Sequence, residues 1–192
     1  MDNTDIIFFK NFLFKEISDT LFDDIYAQTE WHSVLKNENG EDVKINRAMA
    51  YEDYAYSLKE DKTYKYANLT LPSSPLSISV KLIMSHIKLH YPQYEFNSCL
   101  LNLYPNGKSE IRWHSDREEQ LGPNPVIAMI SLGSDRTFHM SHKETREKSS
   151  YLLEHGDLFI MLENCQENYL HAVLKEKHIT EPRISLTFRS VI

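Results

Sequence analysis

Residues 98–107 read Ser98-Cys-Leu-Leu-Asn-Leu-Tyr104-Pro-Asn-Gly107, an apolar run of strand length closed by a Pro-Asn-Gly turn signal. The same unit recurs to the end of the chain. Apolar or alternating runs at 126–132, 137–140, 158–162, 169–173 and 184–188 are separated by Gly122-Pro-Asn-Pro125, Gly133-Ser-Asp135 and His155-Gly-Asp157. Many short strands with turn chemistry between them predict an antiparallel barrel or a double-sheet jelly roll.

Upstream the period changes. Ser18 is placed to cap a helix whose apolar face is Leu21, Phe22, Ile25 and Tyr26. Ser74 and Pro75 supply the cap and first turn of a second helix, with Leu76, Val80, Ile83, Met84 and Ile87 at helical spacing and Pro92 ending it. Residues 32–70 carry Tyr51, Tyr54, Tyr56, Tyr64 and Tyr66 among mixed charges and fit strands or an ordered lid. The expected class is α+β, mainly β, in one domain: residues 1–95 supply N-terminal helices and a lid, residues 96–192 the jelly-roll core.

Composition sets outer limits. The chain has 192 residues, of which 41% are hydrophobic and 26% charged, as in an ordinary soluble globular domain. No apolar run approaches the roughly 18 residues of a membrane span. The start, MDNTDIIFFKNF, lacks the basic opening and cleavage site of a signal peptide. Two cysteines, Cys99 and Cys165, are too few for a disulfide framework and suit a reducing, intracellular compartment, cytoplasmic or nuclear. A monomer is expected. The net charge of −7 excludes a protein that coats nucleic acid by bulk charge. It is unevenly spread, since residues 1–30 carry −5 and the remainder only −2.

With nine histidines and 28 acidic residues, chance alone yields about one His-x-acid triplet, and three occur. His142/Glu144 lies in the charged stretch 141–150, read as a solvated loop or strand end. His155/Asp157 sits on a glycine turn, where Asp157 is a turn residue. His114/Asp116 follows the strand and turn at 98–107 and opens onto the polar loop 117–120. Positions i and i+2 of an extended segment point the same way, so both side chains face one cavity. With His171 from a late strand they complete a two-histidine, one-carboxylate facial triad, the ligand set of non-heme Fe(II). His86 and His90, one helical turn apart, lack the glutamate of a metalloprotease helix and read as surface.

Arg183, Ser185, Thr187 and Arg189 share one face of the strand Arg183-Ile-Ser-Leu-Thr-Phe-Arg189. Two inward arginines are costly unless they meet anions. A dicarboxylic cosubstrate supplies two carboxylates; pairing with Glu163 or Asp157 is the alternative for a single arginine.

Taken together, these segments resemble the AlkB family of Fe(II)/2-oxoglutarate-dependent dioxygenases, most closely its nucleic-acid dealkylating members. Asn102-Leu-Tyr104-Pro-Asn-Gly107 resembles the family's Asn-x-Tyr-x-x-Gly, and His114-Ser-Asp116-Arg-Glu118 its His-x-Asp-x-Asp/Glu. The stretches at 121–133 and 156–161, then His171 and the two-arginine strand, follow in the family's order. The likeness is strong over 98–190 and weaker over 31–95. It implies a double-stranded β-helix with Fe(II) on His114, Asp116 and His171, and 2-oxoglutarate held by Arg183, Arg189, Asn102 and Tyr104. It further implies consumption of O2, oxidative decarboxylation of the cosubstrate to succinate and CO2, and hydroxylation of an N-alkyl carbon that leaves as an aldehyde.

The resemblance makes Thr63-Tyr64-Lys65-Tyr66 part of a nucleotide-recognition lid, with Tyr66 and the ring of His114 sandwiching a flipped base and Tyr64 and Glu118 reading its polar atoms. Tyr51, in Arg47-Ala-Met-Ala-Tyr51-Glu-Asp53, joins that lid; ordinary packing on a β-ladder is the alternative for all three tyrosines. Two departures bear on substrate choice. Ser185 stands where some members have Asn, and no proline follows His171 closely. Arg47, Lys59, Lys62, Lys65, Lys108, Arg112 and Arg117 surround the expected cleft and suit a phosphate backbone. The expected substrate is an N-alkylated base such as 1-methyladenine or 3-methylcytosine in DNA or RNA. An oxygenase of protein side chains or small molecules, and a non-catalytic jelly-roll binding module, are the other readings.

Overall fold

The structure is a computed structural model that describes residues 5–58 and 60–192, so Lys59 lies outside the described residues. Its elements are β1 (Ile6–Phe9), α1 (Lys15–Gln28), β2 (His32–Asn37), β3 (Asp42–Asp53), β4 (Thr63–Tyr66), β5 (Leu69–Pro75), α2 (Ile78–His90), β6 (Ser98–Tyr104), β7 (Ile111–His114), β8 (Ile127–Gly133), β9 (Arg136–His142), β10 (Lys148–Leu153), β11 (Leu158–Met161), α3 (Cys165–Asn168), β12 (Tyr169–Val173) and β13 (Arg183–Arg189). A large sheet runs in the order β1-β11-β8-β13-β6-β3-β2-β5-β4, and a small one in the order β10-β9-β12-β7. The expected mainly β jelly roll is what forms.

Strand alternation divides the large sheet's two faces. On the outer face Leu101, Leu103, Ile130, Leu132, Ile184, Leu186 and Phe188 meet Leu21 and Ile25 of α1 and Val80, Ile83 and Ile87 of α2. Each such buried side chain contributes about 1.5–3 kcal/mol. The other parity turns inward. Leu100, Asn102, Tyr104, Met129, Ser185, Thr187 and Arg189 line a cavity whose opposite wall includes Phe138 and His171 of the small sheet. β13 lies between β6 and β8, with Arg183 opposite Tyr104 and Ser185 opposite Asn102. Polar residues from neighbouring strands are thus held side by side.

Both helix caps differ from expectation. Leu13 N–H donates to the Gly156 carbonyl, so α1 starts at Lys15 and Ser18 is buried inside it, donating to the Leu13 carbonyl. Ser74 and Pro75 remain in β5 because that strand still pairs there with Glu52 and Asp53 of β3. The α2 cap is Ser77: its hydroxyl accepts from Val80 N–H, and its own N–H donates to Glu52. The charged stretch 141–150 is a hairpin whose second arm is β10, paired with β9. β1 is a full member of the large sheet, paired along β11. Residues 6–28 are therefore built into the jelly roll rather than appended to it.

Candidate active site

β7 and β12 are neighbours in the small sheet, with His114 directly opposite His171. Their rings lie 4.2 Å apart, and the His171 ring stacks on Phe138. Asp116 comes from the irregular segment beyond β7, not from the strand itself. Its direction is set by its own N–H, which donates to Gln166 Oε1 at 2.9 Å. His114 Nε2 is 3.5 Å and His171 Nε2 3.7 Å from Asp116 Oδ1. Among the described residues this is the cluster whose three ligand atoms lie within 4.8 Å of one another.

The donor set fits a divalent cation. Asp116 Oδ1 is buried without a hydrogen-bond partner among the described residues. Burial opposes its charge, yet the adjacent Arg189 guanidinium, together with the two histidines, holds its pKa well below the usual carboxylate range. Burial lowers the pKa of His171, which keeps that imidazole neutral, the form that donates a lone pair to a metal. His114 Nδ1–H donates to the Arg112 carbonyl at 2.8 Å, which leaves Nε2 as the ring nitrogen that faces Asp116.

The arginines behave differently from each other. Arg189 donates to Asp116 Oδ2 at 2.5 Å and to the Tyr64 hydroxyl at 2.9 Å. Arg183, fully buried, donates from Nε to Ser131 Oγ at 2.9 Å, and its Nη1 has no partner among the described residues. Burial pushes its pKa down to about 10. Neither takes Asp157, which pairs with Lys10 and accepts from the backbone of Asn11 and Glu154 as a turn residue does. An orphaned guanidinium nitrogen inside a protein calls for an anion. Asn102 accepts from Arg47 Nε at 2.7 Å, and the Tyr104 ring centre lies 5.4 Å from both Arg183 and Arg136.

The tyrosines separate. Tyr51 and Tyr64 stack face to face at 4.0 Å in the core behind the cavity wall, where the Tyr64 hydroxyl accepts from Arg189. Tyr66 alone reaches the walls of both the inner cavity and an open groove of about 870 Å³ beside it. His114 also belongs to both. Arg47, Lys65, Arg112, Arg117, Trp113 and Glu118 line the groove as well. Glu118 lies 3.9 Å from Arg189, and burial raises its pKa. Lys62 is turned instead onto the Tyr56 ring. His86 and His90 pack against Phe12.

Gln166, Lys143 and Arg136 were not singled out by the sequence. Arg136, opening β9, is buried and bound to Glu176 and to the carbonyls of Ser109 and Leu174. The polar opening of that strand, just after the Gly133 turn, was its only signal.

The family model for the 2OG-Fe(II) oxygenase superfamily matches residues 5–189. The alpha-ketoglutarate-dependent dioxygenase alkB homolog 3 of Bos taurus is 39% identical over 137 residues, covering 67% of this chain and 48% of that protein. The DNA oxidative demethylase ALKBH2 of Homo sapiens is 33% identical over 138 residues, 68% of this chain and 52% of that protein. The chain therefore spans about half the length of these curated relatives. The structure of OsALKBH1 shares the fold, with a TM-score of 0.65 over 97% of this chain and 98% of that one at 16% identity.

Proposed function

The chain belongs to the 2OG-Fe(II) oxygenase superfamily, within its AlkB family, and from that premise we propose that it is a dioxygenase that oxidatively demethylates N-alkylated nucleobases in DNA or RNA. The observation that carries this reading is the meeting, at His114, of a buried His–Asp–His cluster and an adjoining open groove walled by Tyr66, His114 and Glu118. His114, Asp116 and His171 would hold Fe(II), which when bound with 2-oxoglutarate and O2 supplies the oxidising chemistry that yields succinate and CO2.

The chain's own residues do the rest. Arg183 offers its unpartnered Nη1 to one carboxylate of the cosubstrate. Arg189 lines the cavity beside Asp116 and neutralises anionic charge on that side. Asn102 and Tyr104 complete the polar wall. In the groove, Tyr66 and the His114 ring hold the flipped base, and the Glu118 carboxylate faces the positive charge that ring-nitrogen alkylation leaves on it. Tyr64 acts by holding Arg189, with Tyr51 stacked behind it. We read residues 1–95 and 96–192 as parts of one domain that works as a monomer. The buried free thiols of Cys99 and Cys165 support an intracellular setting, cytoplasmic or nuclear. No helix among the described residues is long and apolar enough to cross a membrane.

The test is succinate formation with oligonucleotides carrying 1-methyladenine or 3-methylcytosine. Stimulation by the methylated strand over the unmethylated one is expected, with release of formaldehyde, and His171→Ala abolishes both. Fe(II) binding without stimulation by either base overturns the substrate reading.

A further inference from the structure

Asp116 and His171 come from segments 55 residues apart, and nothing in β7 itself fixes Asp116, because the strand ends at His114. Arg189 holds its carboxylate from within the cavity, and two contacts outside the cavity wall hold its backbone segment. Gln166 Oε1 accepts from Asp116 N–H at 2.9 Å, while its Nε2 rests on Met161 Sδ at 3.4 Å. Without Gln166, the Asp116 N–H is a buried donor with no partner. Lys143 Nζ donates to Ser115 Oγ at 3.3 Å and to the carbonyls of Gln166 and Glu167 at 2.7 Å each, which uses all three ammonium protons. Lys143 N–H also donates to the Asn168 carbonyl. Gln166 thus belongs to α3 and Lys143 grips it, and this short helix runs directly into β12 and His171. One end of each connection is the Asp116 segment and the other is the base of the His171 strand.

We propose that Gln166 and Lys143 form a clasp that sets the separation of Asp116 from His171, and so the affinity of the site for a divalent cation. Both are positioning residues. The inference rests on the reading of His114, Asp116 and His171 as the metal site.

Co(II) titration of the full chain, followed by calorimetry and by the visible absorption bands of the bound ion, tests it. Gln166→Met keeps length and burial but removes the acceptor, and Lys143→Met keeps the stem but removes the donors. Each is expected to weaken Co(II) binding by about tenfold or more and to shift the bands, as loss of residues that orient metal ligands does. A purely structural role lowers the melting temperature of the metal-free protein without changing either readout in folded protein. If Gln166→Met does not fold, Lys143→Met, on the partly exposed end of the clasp, decides the matter. Co(II) affinity within twofold of the parent and unchanged bands in the folded variants overturn the clasp. A parent chain that binds no Co(II) overturns the metal reading beneath it.

Discussion

Arg183 and Arg189 stand on one face of one strand, yet their energetics are opposite. Arg189 neutralises the buried Asp116 carboxylate, so Arg189→Leu leaves that charge uncompensated and is expected to lower the unfolding free energy by about 3–5 kcal/mol. Arg183 has an Nη1 without a partner among the described residues and a pKa lowered by burial, so its charge is uncompensated in the ligand-free protein. Arg183→Leu should unfold within about 1 kcal/mol of the parent, since the packing lost with the longer side chain is offset by removal of an uncompensated buried guanidinium. The same substitution should abolish saturable 2-oxoglutarate binding. Denaturant unfolding beside cosubstrate titration separates the two arginines, and a strongly destabilised Arg183→Leu would contradict the role given to it. The facing parity that sets this up was legible in the sequence, but which arginine Asp116 takes was not, because that depends on where the segment beyond β7 comes to rest.

At the level of elements, the end of the barrel is closed by a turn and a loop that share one close contact. Gly107 N–H donates to the Ile179 carbonyl and Glu176 N–H to the Gly107 carbonyl. A Cβ at Gly107 would lie 1.8 Å from the Glu176 carbonyl oxygen, so the glycine is required by approach. The Glu176 side chain then ties this loop to the start of β9 through Arg136 and Thr137. Burial raises its pKa, but Thr137 and Arg136 outweigh that and hold it below the ordinary 4.5. A depressed carboxylate pKa gives stability that is fully present above 4.5 and is lost as pH falls through the lowered folded value. Glu176→Gln should therefore cost about 1–3 kcal/mol near neutral pH, and the gap to the parent should close in acid below 4.5. Unfolding curves at a series of pH values read this directly; a gap independent of pH would remove the ionised Glu176 from the account.

For the whole molecule, the net charge of −7 and the proposed nucleic-acid substrate are reconciled by placement. The acidic residues of α1, Glu16, Asp19, Asp23 and Asp24, belong to a helix on the outer face of the large sheet, away from the metal cavity. Arg47, Lys65, Arg112 and Arg117 line the groove beside that cavity, where Glu38, Glu118 and Glu119 accompany them. Among the described residues that line the groove, four cations are thus available to a phosphate backbone. A single-stranded oligonucleotide should show a slope of log affinity against log salt no steeper than about −3, with Arg112→Ala or Lys65→Ala each making it shallower by about 0.7. Fluorescence anisotropy across a salt series measures it, and a much steeper slope would require a binding face other than this groove.

The sequence by itself determined the order of the strands' inward and outward faces, the turn chemistry between them and the set of residues proposed to bind a metal and a diacid. Period-2 alternation and turn residues are local properties, written in consecutive positions. Only the tertiary structure decided that Tyr51 and Tyr64 stack in the core while Tyr66 reaches the cavity, that α2 is capped by Ser77 rather than Ser74, and that Asp116 is aimed by Gln166 from 50 residues away. Those outcomes depend on which distant groups meet, and contacts across such separations leave no periodic trace in the chain.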